Sequence, residues 1–189
     1  VLEDSAMFDM ENATNSIYLA YGSNMNLEQM AWRCPYATVV GPVKVPGYRL
    51  LFRGSRNSAV ATIEPDEGSS DQAGLAVPAL LWEITPRCEE ALDRYEGWPR
   101  FYRKERITVT FGDRETDAMV YIMNKGHCLG APASGYLNAI RAGYDSAGFD
   151  TAFLDAAVEE SERLATQEDE RWLEEGREIE EGTRQFKWW

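Results

Sequence analysis

Between residues 38 and 84, short apolar and β-branched runs follow one another at turn spacing, and this pattern constrains the fold more than any other. Thr38 to Val45 is rich in β-branched residues, Pro46-Gly47 is a turn signal, and YRLLF follows as a second strand. After the polar GSRN turn, Ser58 to Ile63 reads as a third run, and Glu64 to Gln72 is a loop rich in Asp, Glu, Gly and Ser. LAVPALLWEI then reads as a strand pair, or as one bent strand interrupted by Pro78. Arg103 to Phe111 and Ala118 to Met123 are two further strands joined by the GDRET turn. So many strands at such short intervals require a curved mixed sheet or a small barrel.

Helical signals flank this β-rich middle. Ser16 to Tyr21 is a strand ending at Gly22, after which Asn26 is placed to cap a short helix through Leu27, Met30 and Ala31, with Glu28 in its first turn. Thr85-Pro86 reads as an N-cap followed by proline at the first helical position; Cys88, Leu92 and Tyr95 then recur at helical spacing until Gly97. A loop through GHCLGAPAS precedes helices predicted from Ser134 to Arg141 and from Thr151 toward Ala165. The tail QEDERWLEEGREIEEGTRQFKWW is either a helix laid over the domain or solvated, and Trp188 and Trp189 at its end need cover from the domain or a partner. The expected plan is α+β: a small mixed β-barrel flanked by helices over residues 16–165, with an N-terminal extension (1–15) and an acidic C-terminal extension (166–189).

Charge narrows the partners. With 19 Lys and Arg against 32 Asp and Glu, the net charge of -13 repels nucleic acid and anionic membranes, so neither is expected as a partner. No apolar run approaches the roughly 20 residues that span a bilayer, and the first residues lack a signal peptide's basic start and apolar stretch. A cytoplasmic location is therefore expected. Cys34, Cys88 and Cys128 are widely spaced, without a zinc or redox pair, and fit a reducing compartment as core or near-surface thiols. His127 is the only histidine, which leaves histidine triads and multi-histidine metal centres a single candidate; no metal is expected. There is no G-x-G-x-x-G or P-loop motif.

Two stretches carry candidate chemistry. YGSN places Gly22, Ser23 and Asn24 just beyond a strand end, where successive N–H groups can hold an anion, although Gly-Ser-Asn is also ordinary turn chemistry. In LDRYEGWPRFYRKE, Glu96 sits among Tyr95, Trp98, Phe101 and Tyr102. Desolvation there would raise its pKa toward neutrality and suit it to general acid/base work; the alternative is a helix-ending carboxylate in water. Arg53, Arg56, Arg100 and Arg103 are nearby cations or surface charges, and Tyr136 in GYLNAIRAGY reads by spacing as core. Ser23 has no His or Lys close in sequence and is not expected to be a nucleophile.

Taken together, YGSNM near the first strand, LDRYEGWPRFYRK with Glu96, and GYLNAIRAGY resemble the gamma-glutamylcyclotransferase-like (AIG2-like) family over roughly residues 16 to 160. The resemblance implies a cavity at one end of the barrel that takes a small-molecule gamma-glutamyl substrate. It implies that Tyr21, Gly22, Ser23 and Asn24 wrap the glutamyl group, that Glu96 is the catalytic acid/base, and that Tyr136 lines the pocket. It also implies release of 5-oxoproline and an amine or amino acid, with no cofactor, because the nucleophile is the substrate's own amine. The aromatic cluster Trp98, Phe101 and Tyr102 is a candidate for shaping the leaving-group side. Two other readings stay open: a cyclotransferase tailoring a gamma-glutamyl-protected natural product, and a non-catalytic ligand-binding or interaction protein of the same fold. The acidic extension would then cover the cavity or mediate assembly, a homodimer included.

Overall fold

The computed structural model describes residues 14–66 and 76–185, with side-chain surroundings through residue 175. The N-terminal extension up to residue 13, most of the acidic loop after Asp66, and Trp188 and Trp189 lie outside the described residues.

Strand β1 (Ser16–Ala20) is central, and the five-stranded sheet runs β2-β5-β1-β7-β6. Its other members are β2 (Thr38–Pro46), β5 (Ala76–Ile84), β6 (Tyr102–Phe111) and β7 (Arg114–Met123). β1 is antiparallel to β5, with Leu19 opposite Leu81, and parallel to β7, with Leu19 opposite Val120. A centre flanked on both sides is apolar, and Leu19, Leu81 and Val120 are fully buried. β5 is one strand, as one of the two readings expected. Pro78 faces Lys44 of β2, but β5 pairs with β1 only from Leu80 onward, so the missing N–H leaves no gap in a ladder on that side.

The α+β plan of a curved mixed sheet flanked by helices is the one observed; the sheet curls but does not close into a barrel. Its edges, β2 and β6, meet through side chains: a Cβ on Gly41 would lie 2.7 Å from the Phe111 ring, and β2 shifts register between Val39 and Gly41. An aromatic ring wedged against bare backbone brings the edges together without ladder hydrogen bonds. β3 (Tyr48–Arg53) and β4 (Val60–Pro65) form a separate hairpin.

The helices follow their capping signals. The Asn26 side chain accepts from Gln29 N–H at the start of α1 (Leu27–Arg33), and Thr85 caps α2 (Pro86–Glu96) through Cys88 N–H. α2 stops where Gly97 turns left-handed, at φ 65°. α3 (Ser134–Ala147) packs on the turn after β1, and α4 (Ala152–Gln185) lies over β3. Ser161 of α4 is fully buried and accepts from Phe52 N–H at 3.0 Å, satisfying a donor of β3. α4 runs unbroken past residue 165, and Glu168 and Asp169 pair there with Arg53 and Arg56. No helix among the described residues is long and apolar enough to cross a membrane.

Candidate active site

Because β1 and β7 run parallel, their C-terminal ends open on one rim. There the chain leaves β1 through Tyr21 and Gly22 into a single 3-10 turn, Ser23–Met25, whose residues are all buried. A cavity of about 230 Å³ lies beneath it. This is below the roughly 300–1,000 Å³ of drug-sized pockets and suits an amino-acid-sized group. Tyr21, Gly22, Ser23, Asn24, Glu96 and Tyr136, brought together from the turn after the first strand, α2 and α3, all line it.

Asn24 organises this wall. Its Nδ2 donates to Glu96 Oε1 and to Tyr18 OH, both at 2.8 Å, while its backbone oxygen accepts from Trp82 Nε1 at 3.1 Å. Its Oδ1 accepts from Arg33 Nη1 at 2.7 Å. Ser23 Oγ lies 3.2 Å from Tyr95 OH. Gly22 permits a close approach: a Cβ there would stand 3.3 Å from both Ala61 Cβ and the Tyr136 hydroxyl.

Glu96 comes off the last turn of α2, half-buried, with its carboxyl in the cavity. Burial pushes its pKa from the ordinary 4.5 up to about 7, against the opposing pull of the Asn24 hydrogen bond and the Arg33 charge. The group therefore exchanges its proton near neutrality. The phenols around it titrate far above that range: burial pushes Tyr18, Tyr21, Tyr102 and Tyr136 well up, and the charge of Glu96 adds to the rise. Tyr21 donates to Tyr121 O at 2.5 Å and Tyr102 to Ala61 O at 2.6 Å, whereas Tyr136 OH accepts from Ala61 N–H at 3.0 Å.

Of the aromatic cluster expected at the leaving-group side, Phe101 and Tyr102 line the cavity, but Trp98 does not. Its ring carries Lys104 Nζ 4.8 Å from the centroid. Tyr95, which continues the helical stripe of Cys88 and Leu92, is 47% exposed and stands at the cavity wall. The four flagged arginines do not line the cavity: Arg53 binds Glu64 at 2.6 Å, Arg56 binds Asp169, Arg103 binds Glu105 at 2.5 Å, and Arg100 is exposed. Arg33, which the sequence reading missed, is the cation beside Glu96. Its signal was present in helical spacing, since Arg33 follows Gln29 at i+4 on the helix that Asn26 caps, one turn from YGSN.

A family model described as gamma-glutamyl cyclotransferase, AIG2-like, matches residues 18–139. Among solved structures, one named gamma-glutamyl cyclotransferase superposes with a TM-score of 0.65 at 21% identity, covering 76% of this chain and 86% of that one. An uncharacterized Homo sapiens protein gives 0.65 at 22% identity over the same shares. A yeast gamma-glutamyl cyclotransferase specific to glutathione gives 0.54 at 12% identity, covering 80% of this chain and 97% of its own. No curated protein matches the chain in sequence. At these identities the solved structures speak for the fold; the family model, spanning most of the chain and both YGSN and Glu96, establishes that this protein belongs to the gamma-glutamyl cyclotransferase, AIG2-like family.

Proposed function

We propose that the protein is a gamma-glutamyl cyclotransferase that converts a gamma-glutamyl compound into 5-oxoproline and a free amine, with Glu96 as general base and then general acid. The observation that carries this reading is a carboxyl poised near pH 7 inside a small cavity walled by residues 21–24. The substrate's α-ammonium is unreactive until it loses a proton. Glu96, its Oε1 already held by Asn24, takes that proton on its other oxygen. The amine nitrogen then attacks the γ-carbonyl carbon, closing a five-membered ring, and the bond from that carbon to the leaving nitrogen breaks. Two protons leave the attacking nitrogen and two are gained by the leaving nitrogen, so the amine departs as an ammonium ion. Glu96 carries protons between them.

Ring closure is intramolecular, so the cavity contributes chiefly by holding the chain folded, an effect worth several kcal/mol when reacting atoms are well placed. The N–H groups of Gly22, Ser23 and Asn24 hold the α-carboxylate or the developing oxyanion. The Tyr136 hydroxyl accepts from Ala61 N–H, so its own proton is available to the same oxygen. Tyr136→Phe is expected to lower kcat about 10- to 100-fold with little change in KM. An unchanged kcat would remove Tyr136 from the reaction.

The reading is tested by measuring 5-oxoproline release from gamma-glutamyl dipeptides, gamma-glutamyl-ε-lysine and glutathione, with Glu96→Gln alongside. Release by the wild type alone supports the reaction and identifies the leaving-group class. Silence across the panel overturns it for these substrates.

A further inference from the structure

Arg33 is half-buried, and two of its three hydrogen-bond partners, Asn24 and Tyr95, line the cavity. Nη1 donates to Asn24 Oδ1 at 2.7 Å; Nη2 donates to Gln29 Oε1 and to Tyr95 OH, both at 2.7 Å. The guanidinium carbon also lies over the Tyr95 ring, 3.8 Å from its centroid. A planar fork can bond in its plane and stack on its face at once, which a lysine ammonium cannot.

The consequence lies one residue further in. A primary amide has a donor end and an acceptor end, and its orientation follows from its partners. With Arg33 facing Asn24, only Oδ1 can point toward the guanidinium, so Nδ2 must face Glu96 and Tyr18. Reversing the amide would set donor against donor at Arg33 and acceptor against carboxylate at Glu96. Both contacts would be repulsive.

We infer that Arg33 is a positioning residue for the reaction: by fixing which way the Asn24 amide faces, it holds the Glu96 carboxyl by one oxygen and leaves the other for the substrate's amine. This rests on Glu96 being the base, as proposed above. Other titratable groups facing Glu96 are Tyr18 from β1, Tyr21 from the turn after it, Tyr95 from α2, Tyr102 from β6, Tyr121 from β7 and Tyr136 from α3. Those whose titration is displaced, Tyr121 among them, are all pushed upward by burial and remain uncharged near neutrality. Among the described residues, Arg33 is therefore the fixed charge acting on the carboxyl, and both its charge and the Asn24 bond favour the ionised form.

The test uses the full chain carrying Arg33→Met or Arg33→Lys. Glu96 is titrated by ¹³C NMR of labelled glutamate carboxyls, assigned by the signal missing in Glu96→Gln, and the pH profile of kcat/KM is recorded in parallel. In Arg33→Met, the Glu96 proton affinity is expected to rise about tenfold or more, so that kcat/KM falls about fivefold or more at pH 7 but less than about threefold at pH 9. Arg33→Lys, which keeps the charge and loses the fork, is expected to fall between and carries the test if Arg33→Met does not fold. A Glu96 midpoint unmoved in both variants, or a loss of turnover equal at pH 7 and pH 9, overturns the inference. If the midpoint moves while the wild type releases no 5-oxoproline, the control of Glu96 by Arg33 stands and the reaction assignment falls.

Discussion

Glu96→Gln is expected to make the protein more stable at pH 8.5 while lowering turnover by about 10²–10⁴-fold, the range that a positioned acid/base supplies. The two effects share one cause. The folded state raises this carboxyl from 4.5 to about 7, so the fold favours the protonated form. A group with a raised pKa contributes stability that is fully present below about 4.5 and is lost as pH rises through about 7. Above neutrality the ionised carboxyl opposes folding by up to about 3 kcal/mol, an upper bound because the cavity admits solvent. Glutamine keeps the shape and the acceptor for Asn24 but carries no charge. Melting in buffers of pH 5 and 8.5 should show a gain of no more than about 2 °C at the lower pH and a rise of up to about 6–10 °C at the higher. Equal melting curves at both pH values would mean that the carboxyl is well solvated and not poised. Turnover surviving in the variant would mean that another group is the base.

The second large effect comes from a residue outside the cavity wall. Gly143 on α3 packs against the turn after β1, and a Cβ there would lie 2.6 Å from Met25 Cβ, 2.7 Å from Met25 C and 3.0 Å from Asn26 N. Two of these neighbours are backbone. They are pinned as well, because Met25 N–H bonds Gly22 O at 3.0 Å and Asn26 caps α1. The clash can be relieved only by moving α3 or the YGSN turn. Gly143→Ala is therefore expected to destabilise by about 2–4 kcal/mol in thermal or urea unfolding, and to lower kcat/KM at least about tenfold through the displaced turn. Helix propensity predicts the opposite sign, since alanine exceeds glycine by about 1 kcal/mol in a helix interior. Gly135, on the same helix with nothing within 4 Å of an added Cβ, is the control, and Gly135→Ala should be neutral or stabilising. A stabilised Gly143→Ala would show that α3 does not hold the turn in place.

Much of the site could be read before any coordinates. YGSN after a strand, Asn26 as a cap, Thr85-Pro86 opening a helix and Gly97 closing it all depend on chemistry within a turn of the chain, and each appears in the structure. The positions of Glu96 and Tyr136 beside that loop followed from the family resemblance, not from spacing: by spacing alone Tyr136 was core and Glu96 was undecided. Tyr95 shows the limit of periodicity. It continues the stripe of Cys88 and Leu92, yet it faces Ser23 and Arg33, because what covers the last turn of α2 is a polar loop from the start of the chain.

By itself, then, the sequence determined the strands, the capped helices, the family and the residue types available for acid/base work. These follow from local backbone preferences, side-chain-to-backbone hydrogen bonds and motif identity, all expressed over a few residues. Only the tertiary structure decided that the sheet curls without closing, that Arg33 rather than any of the flagged arginines stands beside Glu96, and that this carboxyl is poised near neutrality. Edge closure, desolvation and charge proximity depend on which distant segments share a volume, and that becomes defined only when the chain has packed.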